Sequence, residues 1–336
     1  MTIERNINLA KFTTFGIGGE ASFFTVAKSV QDVLDAYGYA REHDLRIFLL
    51  GGGSNVLISD QGFDGLVIKN ELKGFTNEGN YISVAAGESW DETVQKVIAL
   101  KFQGIECLSG VPGTFGGAIV QNIGAYGQTL SDVVDSVEVL DTIDGKVKIL
   151  SKPECEFEYR NSLFKKNSGR HLVLQGVLKL FEIDRGNISF LSLGREFVGE
   201  NPSLSQVRQK VLTIRASKGM VIMPEYESYK SAGSFFKNPV VSETQFEKFK
   251  ASIRCPDPWY WNQSDGVKVS AACLITQAGF SKGQVMDAAQ ISSKQALAII
   301  NPGNAKASDI KNLAEKIKAG VRNKFGVELE EEIVYI

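Results

Sequence analysis

Gly51-Gly52-Gly53-Ser54-Asn55 follows the apolar run Ile47-Phe48-Leu49-Leu50 and precedes Val56-Leu57-Ile58. Both apolar runs read as short strands, and Ser59-Asp60-Gln61-Gly62 reads as a turn. Three adjacent glycines let the backbone take positive φ and approach a ligand closely. Their N–H groups can form a nest for an anion, with Ser54 and Asn55 adding side-chain donors. The stretch is not a dinucleotide fingerprint of the Rossmann type, which needs a glycine at the position of Val56 and a helix directly after it. Taken alone, it is either a ligand-facing loop or a tight turn between two strands.

A second segment, Gly110 to Gly127, separates these readings. Its glycines are dense, yet Val111, Pro112, Phe115, Ile119, Gln121, Asn122 and Tyr126 are threaded among them. A flexible linker is polar and featureless. This one reads as ordered backbone wrapped against something flat or phosphorylated. Two such loops in one globular chain point to a large cofactor touched mainly by backbone.

With 336 residues the chain can hold two or three domains. A formal net charge of −2 gives no reason to expect nucleic acid or an anionic membrane as partner. No run is long and apolar enough to span a bilayer, and the first residues lack a signal-peptide core, so a cytoplasmic protein is expected. Cys107, Cys155, Cys255 and Cys273 are widely spaced, which indicates neither a zinc site nor a disulfide framework; no metal is expected. His43 and His171 are the only histidines, and both read as surface residues. Proton chemistry must then come from Ser, Tyr, Lys, Glu or Asp.

Along the chain, Ser29 with Asp32 caps a helix whose stripe is Val33, Leu34, Tyr37 and Ala40. Ser89 with Glu92 opens another, carrying Val94, Val97 and Ile98 and closing near Gly104. Asp144-Gly145 marks a hairpin turn, and Leu172 to Leu180 reads as a strand. Ser203 with Gln206 opens a helix to about Ser217. Aromatic, proline-punctuated sequence after Lys218 marks a domain boundary. Ser308 starts an amphipathic helix with Ile310, Leu313, Ala314, Ile317 and Val321 on one face. Gly326 ends it, and 327–336 reads as a closing strand.

Three polar clusters could carry chemistry. In Tyr159-Arg160-Asn161-Ser162-Leu163-Phe164-Lys165, the arginine suits a bidentate grip on a carboxylate or simple packing over aromatic faces. In Ser231-Ala232-Gly233-Ser234-Phe235-Phe236-Lys237-Asn238-Pro239, small neighbours leave the Ser234 hydroxyl approachable beside an apolar wall. That hydroxyl could protonate a carbanion, or cap a turn. No Gly-x-Ser-x-Gly elbow is present. Leu329-Glu330-Glu331-Glu332 is a charged edge or an acid site; alternation puts Glu330 and Glu332 on one face, and spacing alone does not choose between the acids.

Taken in order with Thr13-Thr14-Phe15-Gly16-Ile17-Gly18-Gly19, these stretches resemble the UDP-N-acetylenolpyruvoylglucosamine reductase family, flavoenzymes of bacterial cell-wall precursor synthesis. The resemblance covers nearly the whole chain in six ordered motifs. It implies an α+β fold. An FAD-binding module of the vanillyl-alcohol oxidase (PCMH) type, made of two α/β subdomains, would span 1–218. A third, α/β substrate-binding domain would span 219–325, and the last strand, 326–336, would return to the flavin site. It implies FAD held by Gly51, Gly52, Gly53, Ser54, Asn55, Pro112, Gly113, Thr114, Gly117, Asn122, Gly124 and Tyr126. NADPH would reduce FAD, and hydride would pass from flavin N5 to the enolpyruvyl ether of UDP-N-acetylglucosamine, giving UDP-N-acetylmuramate. Arg160 would face the developing enolate, Ser234 would donate the proton, and Glu332 would place a carboxyl group beside them. Lys218, Asn238, Lys282 and Gln295 would hold the uridine diphosphate. A monomer is expected.

Two departures from the family pattern bear on the substrate. Where the better-known branch has a lid tyrosine, this chain aligns Leu193, followed by Gly194. Either Tyr226 or Tyr229 supplies the lid, or the pocket closes differently. Val334 stands where that branch has an arginine. An FAD oxidase of another small alcohol and a non-catalytic UDP-sugar binder remain as other classes; Ser234 and the diphosphate lysines argue against the first, and the Arg160, Ser234 and Glu332 set against the second.

Overall fold

The computed structural model describes residues 1–223 and 230–336, and for Leu191 and Ser192 the backbone alone. The chain divides into two compact units. One comprises Met1–Ile7, Glu20–Gly53 and Phe63–Glu227; the other comprises Asn8–Gly19, Ser54–Gly62 and Ser228–Ile336.

The first unit contains two main sheets. In one, the strands lie in the order Glu4–Asn8, Glu20–Ala27, Phe63–Asn70 and Ile47–Leu50. The last three are parallel, as strands joined by a crossover helix must be. That helix is Val30–Glu42, opened by the reciprocal Ser29–Asp32 capping box and burying Val33, Ala36, Tyr37 and Ala40. The other sheet has the order Lys146–Ser151, Val134–Asp141, His171–Lys179, Tyr81–Ala85 and Phe75–Glu78, all antiparallel. Asp144-Gly145 makes its hairpin, with Gly145 at φ 69°. Trp90, Phe115, Ile119, Val137 and Val139 form part of its fully buried core.

The helix opened by Ser89 ends at Ala99, short of Gly104. Lys101 is left-handed (φ 63°), and the chain turns directly into Phe102–Gln103, which pairs with Phe181–Glu182. The second glycine segment contains a helix, Phe115–Gln121, where the composition suggested only loop. A Cβ on Gly116 would come within 2.8 Å of the Ala86 Cβ, so close packing accounts for that glycine. His171 also departs from expectation. Its side chain is buried beside Asp141, at 3.8 Å, and burial pushes its pKa down.

The helix Leu204–Ser217 opens with the Ser203–Gln206 box. It is tied to the helix Trp90–Ala99 by a bidentate ion pair, Arg208 to Asp91, with both contacts at 2.7 Å. Asp91 also accepts from the Gly110 N–H at 2.6 Å, at the entrance of the second glycine segment. Burial alone would raise the Asp91 pKa; Arg208 and the Gly110 N–H outweigh it and hold the carboxyl below its ordinary value. Asp91→Asn leaves Arg208 partly buried without its counter-charge, so a loss of about 3 kcal/mol is expected. A depressed folded pKa stabilises above the unfolded value of about 3.9 and loses that contribution as pH falls through the folded value. Melts of both proteins should therefore differ most near neutrality and converge in acid. Equal differences at both pH values would refute this reading of the pair.

The second unit has two three-stranded sheets, ordered Val240–Val241, Gly266–Val269, Tyr260–Gln263 and Val285–Met286, Ala289–Ile291, Ile299–Ile300. The helix Ala307–Phe325 buries Ile310, Leu313, Ala314, Ile317 and Val321, the stripe the periodicity gives. It starts one residue earlier than expected. The Asp60 carboxylate accepts from the Ala307 and Ser308 N–H groups at 2.7 and 3.1 Å, a cap supplied from far along the chain. Gly326 closes it at φ 66°. Beyond it only Val334–Tyr335 is strand, paired in parallel with Val56–Leu57.

Cys255 and Cys273 are joined by a disulfide, contrary to the expectation from spacing. The two lie 18 positions apart, and the chain between them folds back as the hairpin Tyr260–Gln263 and Gly266–Val269, which closes a distance sequence does not reveal. Cys107 and Cys155 are free and buried. Among the described residues no helix is long and apolar enough to cross a membrane.

Candidate active site

In the first unit the two glycine loops lie against each other. A Cβ on Gly51 would meet Thr114 Oγ1 at 2.5 Å, and one on Gly52 would meet Gly113 Cα at 2.5 Å. Real Cβ atoms do not approach backbone so closely, so Gly52 requires glycine, and a side chain at Gly51 would displace the Thr114 hydroxyl. Gly53 is left-handed at φ 63°, and Gly113 has φ 115°. Lys69, in the strand Phe63–Asn70, donates through Nζ to the Gly51 carbonyl at 2.6 Å. Burial pushes the pKa of that ammonium down, with nearby Glu71 opposing. Sequence reading missed Lys69; a lysine directly after the apolar run Leu66-Val67-Ile68 was its signal. The two loops thus pack with no room for a side chain between them and form a half-buried backbone cradle, which fits a large planar and phosphorylated cofactor touched by main chain. Gly53→Val puts a β-branched residue at positive φ, a costly conformation. It is expected to weaken FAD binding by roughly tenfold or more while the circular dichroism spectrum persists, about 1–3 kcal/mol of strain falling on the loop. Undiminished FAD affinity, measured by flavin fluorescence titration, would place the cofactor elsewhere.

Arg160 occupies the turn between Glu158 and Asn161, whose backbones exchange hydrogen bonds at 3.0 and 3.1 Å. Its guanidinium donates to the Gly124 carbonyl, and a Cβ on Gly124 would press on the same group at 2.7 Å. The Tyr159 ring lies 5.3 Å from the guanidinium carbon. Lys218 ends the helix Leu204–Ser217, with its ammonium 6.0 Å from the Tyr126 ring centroid. Burial lowers the Lys218 pKa, and neighbouring Arg215 lowers it further. Tyr126 is left-handed (φ 48°), and burial raises its hydroxyl pKa. Arg215, which sequence reading passed over, is buried and donates to the Met220 carbonyl at 3.0 Å. Leu193, at the position of the lid tyrosine, is fully buried with Cys107, Phe197, Val207 and Val211. It serves as a core residue. Tyr226 and Tyr229 lie outside the described residues.

In the second unit the structure ties the segments of Ser234 and Glu332 together. The Glu332 N–H donates to the Phe235 carbonyl at 2.8 Å, and the Lys237 N–H donates to the Glu330 carbonyl at 2.9 Å. Asn55 holds the same stretch: its Nδ2 donates to the Glu332 carbonyl at 3.2 Å, and its own carbonyl accepts from the Val334 N–H at 3.0 Å. Two of the three acids have ion pairs to lysines. Glu330 pairs with Lys237, and Glu331 pairs with Lys318 at 2.8 Å. Phe235 and Phe236 are buried, with ring centroids 5.1 Å apart, a dry wall next to the Ser234 position. Gly233 is left-handed at φ 72° directly before Ser234. Asn238 accepts the Ala271 N–H through Oδ1 at 3.0 Å, which leaves its Nδ2 hydrogens to donate. Lys282 is exposed, and Gln295 is half-buried with a buried Oε1 that has no hydrogen-bond partner among the described residues.

Residues 224–336 match the profile of the UDP-N-acetylenolpyruvoylglucosamine reductase C-terminal domain, and 21–151 match an FAD-binding domain. The UDP-N-acetylenolpyruvoylglucosamine reductase of Streptomyces coelicolor is 38% identical over 340 residues, covering 98% of this chain and 88% of its own length. The chain belongs to the UDP-N-acetylenolpyruvoylglucosamine reductase family. The Pseudomonas aeruginosa reductase is 35% identical, with 99% of this chain and 98% of that one aligned. The crystal structure of the Thermus caldophilus reductase superposes with a TM-score of 0.70 at 25% identity, over 100% and 99% of the two chains. The fold is therefore the family's α+β fold, with an FAD-binding module of the PCMH type. Its two α/β subdomains correspond to the two sheets of the first unit.

Proposed function

We propose that this reductase-family chain catalyses the NADPH-dependent, FAD-mediated reduction of UDP-N-acetylglucosamine enolpyruvate to UDP-N-acetylmuramate, a step of peptidoglycan precursor synthesis. The observation that carries the reading is kinship over the full chain with reductases of that name. Bound in the cradle of Gly51–Gly53 and Gly113–Gly117, FAD supplies hydride chemistry between NADPH and the substrate alkene.

The chain's own residues answer the remaining demands of the reaction. Charge develops on the carboxylate-bearing carbon, and a fixed cation aimed at it is the usual large electrostatic contribution. Arg160 takes that role. The same carbon must gain a proton; the Ser234 hydroxyl donates it, with Glu332 alongside and the Phe235–Phe236 wall excluding water. Asn238, whose Oδ1 is taken by the Ala271 N–H, would donate through Nδ2 to the uridine diphosphate, with Lys218, Lys282 and Gln295 as its further ligands. Burial strips water from the Lys218 ammonium and lowers its pKa, and an anionic diphosphate would favour its charged form. We place the protein in the cytoplasm, as a monomer.

Incubation of the purified protein with NADPH and the enolpyruvyl substrate should give one product heavier by two hydrogens, bearing a lactyl methyl in its NMR spectrum. Each product formed should consume one NADPH. NADPH consumed only against oxygen, with the enolpyruvyl ether intact, would contradict this reading.

A further inference from the structure

Arg160 must be aimed, and its aim is not intrinsic to its own turn. The residue is left-handed at φ 55°, a conformation that is costly for a bulky side chain and persists only where its surroundings hold it. The surroundings are the end of the helix Phe115–Gln121 and the residues after it. Asn122 Nδ2 donates to the Glu158 carbonyl at 2.8 Å, while Asn122 Oδ1 accepts from the Ser131 N–H at 3.0 Å. Lys165 Nζ donates to Gln121 Oε1 at 2.8 Å and to the Arg160 carbonyl at 3.4 Å. Ser162 Oγ donates to the Val120 carbonyl at 2.6 Å. Asn122 is only 2% exposed, so both ends of its amide are spent inside the protein and little of it can meet a ligand.

We infer that Asn122 is a positioning residue for Arg160: it clamps the Glu158–Asn161 turn and aims the guanidinium at the substrate carboxylate. Two features make it the centre of the clamp. It is itself left-handed at φ 47°, a conformation asparagine tolerates better than other non-glycine residues, and it bridges two segments with one planar group. Gly124 completes the arrangement by accepting from the guanidinium directly. This inference rests on the proposed role of Arg160.

The test uses Asn122→Gly, which keeps the left-handed backbone and deletes the clamp, and Asn122→Asp, which keeps the acceptor for Ser131 but removes the donor to Glu158. The loaded enzyme is reduced with NADPH and re-oxidised with the enolpyruvyl substrate in separate stopped-flow steps. FAD affinity is measured independently by fluorescence titration. Both variants should bind FAD and be bleached by NADPH within about threefold of wild type, while re-oxidation slows roughly 10- to 100-fold, the scale of a small misplacement. In an Arg160→Ala background, Asn122→Gly should add less than about threefold, because the two changes remove one interaction. Loss of FAD affinity would make Asn122 a flavin ligand and overturn the inference. So would full additivity with Arg160→Ala, or normal re-oxidation in both Asn122 variants while Arg160→Ala is slow. Normal re-oxidation in Arg160→Ala itself would remove the reading of Arg160 and this inference together.

Discussion

Ser234→Ala leaves bleaching of the flavin by NADPH near its wild-type rate and slows re-oxidation by the enolpyruvyl substrate roughly 10²- to 10⁴-fold, the range for a lost general acid. The asymmetry follows from the chemistry. NADPH oxidation needs no proton donor at the substrate carbon, whereas hydride delivery to the alkene leaves a carbanion that is costly until protonated. Two buried phenylalanines beside Ser234 leave little room for a substituting water. Ser234→Cys should regain part of the rate, since a thiol also donates. Stopped-flow absorbance separates the two steps. Equal slowing of both would mean that Ser234 shapes the flavin site, and slowing of neither would return it to a turn residue following Gly233.

Arg160→Ala should lower the re-oxidation rate by roughly 10²- to 10³-fold, the usual consequence of deleting one pre-aimed group facing developing charge. Bleaching by NADPH should again change little. Arg160→Lys should not restore the rate: a lysine ammonium is a point charge and cannot reproduce a planar fork that also anchors on the Gly124 carbonyl. Full activity in Arg160→Lys would show that charge alone suffices, and full activity in Arg160→Ala would assign the carboxylate to another cation.

Much of this arrangement is written in local chemistry. Ser29, Ser89 and Ser203 cap helices because a short oxygen side chain followed three residues later by an acid or amide satisfies the first N–H groups. The stripe Ile310 to Val321 is legible because one helical face must be apolar to be buried. Glycine-dense segments with apolar and amide residues among them announced a backbone-lined cradle. What escaped is non-local. The helix Phe115–Gln121 is hidden because it carries two glycines, normally helix breakers, of which Gly116 is demanded by close contact with Ala86. The Cys255–Cys273 bond depends on a hairpin bringing distant residues together. The ion pairs of Glu330 with Lys237 and of Glu331 with Lys318 join residues that are not adjacent in sequence. Asn55 and Asn122 read as ligand-facing amides in motifs, yet in the folded chain each is hydrogen-bonded to a segment carrying another candidate, Glu332 and Arg160 respectively.

The most direct measurement is anaerobic. The purified, FAD-loaded protein is bleached with one equivalent of NADPH under argon, and UDP-N-acetylglucosamine enolpyruvate is then added. The flavin absorbance should return in full with one equivalent of substrate, with UDP-N-acetylmuramate as the product. A flavin that stays bleached with the substrate and regains its colour only on admitting oxygen would contradict the account.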